Sequence, residues 1–213
     1  PFAGIAMLMT IYANGKGASR DLDLATALAC RVESAPAEVE ARIETLQERK
    51  EDQGKKAAFD FCDDVTSGFA SGFCARHGEE IAKTARDEKI AVLQKKWSPA
   101  DRRAFEPLRR AFETFAETSG DHEVDLSGTL RGALTVEHLR HLRSQFASML
   151  DALENAKAPP EMAAFPAADA ELNAVFRAIM ADNDPVYGTV TKEGIRMAQR
   201  AWLRYRDAWV SFA

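Results

Sequence analysis

The sequence predicts an all-α fold: antiparallel helical hairpins packed as a bundle, with a helix-turn-helix repeat unit at the N-terminal end. Three observations lead there. No alternating run of valine or isoleucine stands between turn signals, so strands find no support. Apolar residues recur at three and four nearly throughout, the period of a helix with one buried face. Two of these stripes, Phe105-Leu108-Phe112-Phe115 and Leu139-Leu142-Phe146-Met149-Leu153, are long enough to seat one helix on another.

Phe2 to Tyr12 reads as a short helix closed by "ANGKG". A second begins near Asp21, a capping residue, and runs to about Cys30 through Leu24, Ala25 and Leu28. Ser34 and Pro36 mark a third start, since proline in the first turn costs no hydrogen bond. Val39, Ile43 and Leu46 are its large apolar anchors, and "QERKEDQGKK" reads as a solvated stretch ending at Gly54. Ser98-Pro99 opens the Phe105 helix, and "TSGDHEVDLSGT" breaks its period with two glycines and several capping side chains. "NAKAPPEM" ends the Leu139 helix, because Pro159 and Pro160 cannot continue it. The last section reads as a hairpin. Leu172, Val175, Phe176, Ile179 and Met180 mark one arm and "DNDPVYG" the turn. Ile195, Ala198, Trp202, Tyr205, Trp209 and Phe212 mark the other arm. The expected divisions are 1–53, 54–158 and 159–213.

With 213 residues, 46% hydrophobic and 29% charged, the chain has the make-up of an ordinary globular protein able to bury a core. Its net charge of −5 argues against a nucleic-acid partner. No run of eighteen apolar residues spans a membrane. The chain starts at Pro1 inside a helical pattern, which we read as a trimmed product whose signal peptide was removed upstream. Three cysteines do not by themselves fix a redox compartment.

The stretch "AQRAWLRYRDAW" interleaves three arginines with two tryptophans and a tyrosine. At 100° per residue the apolar residues of this helix fall within an arc about 100° wide, while Arg196, Arg200 and Arg204 lie opposite. A base-stacking platform needs both on one surface, so the stretch is a core helix with a basic back. Arg206 lies at the rim of the apolar arc together with Gln199, and Asp169 and Asn173 border the stripe of the facing arm. Antiparallel pairing about a turn near Val186 and Tyr187 brings Asp169 level with Arg206. The expectation is an Asp169–Arg206 ion pair, with Asn173 and Gln199 hydrogen-bonded beside it and about 3 kcal/mol lost when one partner is removed. A binding role for Arg206 and Asp207 is the competing reading.

"ADAELNAVF" followed by "AQRAWLRYRDA" resembles the lysozyme inhibitor LprI N-terminal domain family. The matching residues are Asp169, Leu172 and Asn173, with Phe176 where the family has tyrosine. On the later helix they are Gln199, Arg200, Trp202, Tyr205, Arg206 and Asp207. Many members carry a cysteine soon after the final motif; here "WVSF" stands there. "FCDDVTSGFASGFCA" is similar to the family's opening, which implies a disulfide between Cys62 and Cys74. Continuous helix would hold these about 18 Å apart, so a bridge requires a reversal at Thr66-Ser67-Gly68 or at Ser71-Gly72. "RAFETFAE" echoes "RAWLRYRD", consistent with a degenerate first copy of the domain within 54–158, or with one domain split by a helical insertion. "LMTIYANGKGASRDLDLATALAC" resembles the Sel-type tetratricopeptide-like repeat through Tyr12, Asn14, Gly15, Gly17, Arg20, Asp21 and Ala25. A single such unit cannot bury its face alone.

Signs of catalysis are few. "NGKGAS" lacks the serine or threonine of a phosphate loop and no strand precedes it. His138 and His141 sit three apart on a helix, a spacing that serves a metal only with a third ligand. Neither a Ser-His-Asp arrangement nor a carboxylate dyad stands out, and no cofactor is expected. "HEVDLSGT", carrying His122, Glu123 and Asp125, is either the recognition loop or a connector. The resemblance implies an exported, periplasmic, non-enzymatic binding protein with a protein partner in the envelope, a lysozyme among the candidates. The alternative is a repeat-type scaffold in an envelope complex, and an enzyme acting on peptidoglycan ranks last.

Overall fold

A computed structural model of the chain describes residues 2–51, 58–66, 68–155, 165–183 and 187–212. Among them are eight α-helices and no strand: α1 (Phe2–Asn14), α2 (Leu22–Ala29), α3 (Pro36–Glu51), α4 (Gly68–Lys96), α5 (Pro99–His122), α6 (Arg131–Asn155), α7 (Phe165–Ala181) and α8 (Lys192–Phe212). A 3-10 turn, Phe61–Asp64, precedes α4. The fold is all-α. Two compact units form, residues 1–74 and 75–213, their boundary inside α4. The expected divisions after 53 and after 158 both fall outside the described residues, as do Gly54, Pro159, Pro160 and Val186.

In the first unit, α1 packs on α2 and α2 on α3. The α1–α2 turn uses Gly15 at φ +66° and Gly17 at φ +90°, a region that side chains disfavour. Asp21 then caps α2 by accepting from the Leu24 amide at 2.8 Å. Asn14 clamps the chain after α3, donating to the Phe59 carbonyl at 2.8 Å and accepting from the Phe59 amide at 2.7 Å. The core gathers Met9, Ala13, Leu28, Leu46, Phe59 and Phe61.

Helix α3 departs from its sparse apolar pattern: Glu38, Arg42 and Arg49 are buried with Leu46. The Arg42 guanidinium stands 4.6 Å from the centre of the Phe61 ring, and that of Arg49 lies 5.9 Å from Phe59. Arginine stems do the packing that leucines do elsewhere, and the rings take the cations. Burial pulls the Arg42 pKa down, opposed by Asp64 and Glu38. Glu38 also accepts from the Thr66 amide at 2.8 Å. Arg49, in the stretch expected to be solvated, is therefore a core residue.

Cys62 and Cys74 are joined by a disulfide, their Cα atoms 5.5 Å apart. The chain reverses at the start of α4, whose first residue, Gly68, takes φ +67°. Ser71 and Gly72 lie within the helix, so the reversal is the earlier of the two considered, and its Ser67 lies outside the described residues. Cys30 is free and exposed.

The second unit is organised by α5. Ser98 and Asp101 form a reciprocal capping box with Pro99 in the first turn. Phe105, Leu108, Phe112 and Ala116 are buried along one face. The helix continues to His122, through the segment expected to break it, and Ser119 and Gly120 are buried helical residues. Gly120 is there for space: a Cβ on it would stand 3.1 Å from Leu139 on α6. On α6, Phe146 and Leu150 are buried, whereas Met149 of the expected seam is 46% exposed.

Helix α8 makes its most extensive contact with α5 rather than with α7, the arm expected to pair with it. Its small residues explain this. Gly194, Ala198 and Ala201 are buried, and a Cβ on Gly194 would come within 3.0 Å of His122 at the end of α5. Small side chains let two backbones approach, and the aromatics flanking that contact then fill the space beside it. Helix α7 buries no residue completely, and its Val175 is half exposed.

Replacing Cys62 and Cys74 together by alanine is expected to lower unfolding free energy by about 2–4 kcal/mol, the usual effect of a short disulfide loop. Urea denaturation monitored by far-UV circular dichroism measures it, and an unchanged midpoint would contradict the staple.

Candidate functional site

The site is built around α8 and what reaches it from α5, α6 and α7. Its base is an aromatic cluster. Phe112 stacks on Phe146 with centroids 4.2 Å apart and planes 4° from parallel, and Phe115 stacks on Tyr205 at 5.5 Å. Trp209 meets Phe146 edge-on at 5.8 Å. Burial raises the pKa of the Tyr205 phenol, whose hydroxyl lies 3.9 Å from the Met149 sulfur. A groove of about 320 Å³ remains beside these rings, with Trp202, Arg206 and Val210 on its walls.

At the rim, Arg206 Nη1 stands 3.2 Å from Asp169 Oδ1 on α7, and its Nη2 stands 2.7 Å from Asp207. The guanidinium also lies 5.8 Å from the Trp202 ring and 5.9 Å from Phe165. Asn173 belongs to this cluster, donating to the Asp169 carbonyl at 2.7 Å and carboxylate at 3.0 Å. Those bonds run along its own helix, which fits their i to i−4 spacing. Gln199 lines a separate depression of about 190 Å³ with Leu172, Trp202, Phe115 and Glu123. Lys192 ties the far end of α7 to α8, donating to the Met180 carbonyl at 2.8 Å and to that of Asp182.

His122 is the last residue of α5, and the loop after it is held from inside. Asp125 Oδ1 accepts from the amides of Ser127 and Thr189, both at 3.0 Å, and from the Thr189 hydroxyl at 3.1 Å. Ser127 Oγ donates to the second carboxylate oxygen at 2.7 Å. The Thr189 hydroxyl in turn accepts from the Leu126 amide at 2.6 Å. These donors favour the ionised carboxyl, so the Asp125 pKa falls to about 2. Gly188, at φ +60°, permits the approach, since a Cβ there would lie 2.2 Å from the carboxylate carbon. The Asp-x-Ser turn was legible in the sequence. Thr189, 64 residues away, was not.

Glu123 joins a second network. Ser119 Oγ lies 2.6 Å from Glu123 Oε2 and 2.7 Å from His138 Nε2. Serine has one proton to give. Given to the carboxylate, it leaves Oγ to accept from a protonated Nε2, which sets the tautomer of His138. Burial lowers the His138 pKa, against the pull of Glu123. Ser119 is almost wholly buried, and its hydroxyl is spent on the carboxylate. The trio therefore holds α5 to α6 and offers no accessible nucleophile. Among the described residues no cluster of three or more histidine, cysteine or acidic side chains could hold a metal.

Glu123 and Asp125 border a further depression of about 380 Å³, completed by Ile179 of α7, Tyr187, Val190 and Ile195. Acidic groups at an apolar hollow suit a protein partner that brings a cation next to an apolar side chain. No helix among the described residues is long and apolar enough to cross a membrane.

Three outcomes check this geometry. Asp169→Asn costs about 1 kcal/mol rather than 3, because both partners keep contact with water and Arg206 retains Asp207; a chemical-denaturation loss above 2 kcal/mol contradicts it. The Thr189 amide shift titrates with a midpoint near pH 2, and the clamp, intact above the ordinary carboxyl value of 3.8, loosens as pH falls through that midpoint. A transition near 3.8 would show the clamp is not formed. His138 has a depressed folded pKa, so its contribution is full above its ordinary 6.5 and is lost as pH falls below it. His138→Gln, which keeps a donor to Ser119, should flatten the decline in urea midpoint between pH 7.5 and pH 5; an unchanged decline contradicts the network.

Comparison with known proteins adds one relation. No curated protein and no solved structure matches the chain. Residues 161–213, a quarter of its length, match the family model described as "Lysozyme inhibitor LprI", and this segment contains α7, α8 and the Asp169–Arg206 pair and Lys192 contacts that join them, but not the rings of α5 and α6 on which α8 packs.

Proposed function

We propose that this chain is an exported, non-catalytic binding protein of the cell envelope that inhibits a lysozyme-type muramidase. The observation that carries the proposal is the match of residues 161–213 to the inhibitor family. The net charge of −5 is compatible with a basic protein partner. We assign the contact to the hollow beside Glu123, where α7 and α8 meet the loop after α5. In this account a cationic side chain of the partner meets Glu123 and an apolar neighbour sits on Tyr187, which is 36% exposed.

A scaffold role is the second reading, favoured by Met7 and Leu8, which stand exposed on the uncharged helix α1. Removing the residues before Glu38 abolishes partner capture under the scaffold reading and spares it under the first.

Cell-wall lysis assays against lysozymes of several types test the inhibitor reading. The full chain should slow at least one of them at micromolar concentration, and Tyr187→Ala should weaken that effect about tenfold or more, as for a central interface anchor. No inhibition of any lysozyme, or equal inhibition by the variant, would contradict the activity or its assigned surface respectively.

A further inference from the structure

A cleft of about 500 Å³ opens between α4, α5 and α6, with no residue of α7 or α8 in its lining. Its floor is apolar, with Phe105, Phe112 and Phe146 reaching it from the core. Its walls carry both signs of charge, and their pairing is incomplete. Arg86 Nη2 lies 2.6 Å from Glu79 Oε1, with both side chains at least 86% buried. Arg86 Nη1 and Glu79 Oε2 are buried as well and find no hydrogen-bond partner among the described residues. Arg143 reaches in from α6, 3.4 Å from Glu79 and 3.5 Å from Glu113. Both distances exceed the roughly 2.7–2.9 Å of a close charge-assisted hydrogen bond. An unpaired donor, an unpaired acceptor and a loosely held guanidinium in one cleft form a half-satisfied network, which is costly to keep.

The charges decide what would complete it. A simple anion meets Glu79, Asp87 and Glu113 on the same walls, and a simple cation meets Lys83, Arg86 and Arg143. A molecule carrying a carboxylate and an ammonium meets neither objection. We propose that this cleft binds a zwitterion with an apolar side chain, of amino-acid or short-peptide type. Its carboxylate lies on Arg143, with Arg86 behind. Its ammonium lies on the open side of Glu113, the more exposed of the two glutamates that face Arg143, and its side chain rests on the phenylalanine floor. Arg143, 30% exposed, is the more accessible of the two arginines. The size suits a pocket for a small molecule rather than for a protein surface. The inference does not depend on lysozyme inhibition.

The test is calorimetric titration of the full chain at low salt with three probes: leucyl-leucine, N-acetyl-leucine and leucinamide. Leucyl-leucine should bind, and the two singly charged probes should bind roughly tenfold or more weakly, each having lost one charged contact. Arg143→Gln should weaken leucyl-leucine by a similar factor while the melting temperature stays close to that of the parent. If that variant does not fold, Glu113→Gln, at a more exposed position, replaces it with the same expectation. No binding of leucyl-leucine at millimolar concentration, equal binding of N-acetyl-leucine, or full binding by a folded variant would each overturn the proposal.

Discussion

The arrangement of the second unit depends on the close packing of α8 against α5. Small residues on α8 bring the two backbones together, and Phe112, Phe115, Phe146 and Tyr205 close around the contact as paired rings. Aromatic side chains bury a large apolar area each, and offset or edge-on contacts add to that stabilisation. Once α8 is fixed, the remaining features have their positions. Arg206 is held at the rim where Asp169 reaches it, and Gly188 and Thr189, just ahead of α8, fall beside Asp125.

The polar contacts are of a different order. Helix α7 has no fully buried residue and is held by an ion pair, a lysine on two carbonyls and partial apolar contact. Each is worth about a kilocalorie or less at such exposure. The recognition role proposed for this chain would benefit from this division. The aromatic core keeps the scaffold fixed, while the elements that border the surface hollow are secured by weaker, specific bonds whose geometry is set by the core beneath.

What the sequence disclosed follows from the range of each interaction. Helical periodicity is local, so the Phe105–Phe112 stripe and the Trp202–Trp209 face could be read directly, as could the caps at Asp21 and Ser98. The Asp169–Arg206 pair was accessible because both residues border apolar stripes. Asn173 bonds along its own helix, to the carbonyl and carboxylate of Asp169, an i−4 partner that helix geometry always supplies. Ser119 and Gly120 looked like a break because their propensities favour turns; the close approach of Leu139 overrides that preference. The arginines of α3 were hidden for a related reason: a guanidinium counts as solvated until a ring is found above it, and Phe59 and Phe61 come from a separate segment. Thr189 and Asp125 meet only because the fold brings their loops together.

The central claim is that α8 is anchored to α5 and α6 by its aromatic face, and a double-mutant cycle on Phe112→Leu and Tyr205→Leu tests it most directly. The two rings are 5.4 Å apart, tilted at 56°. Each substitution is expected to be destabilising, and the pair to show a coupling of about 0.5–1.5 kcal/mol in urea unfolding. Additive effects, with no coupling beyond experimental error, would mean that these rings do not meet and would contradict the anchoring of α8.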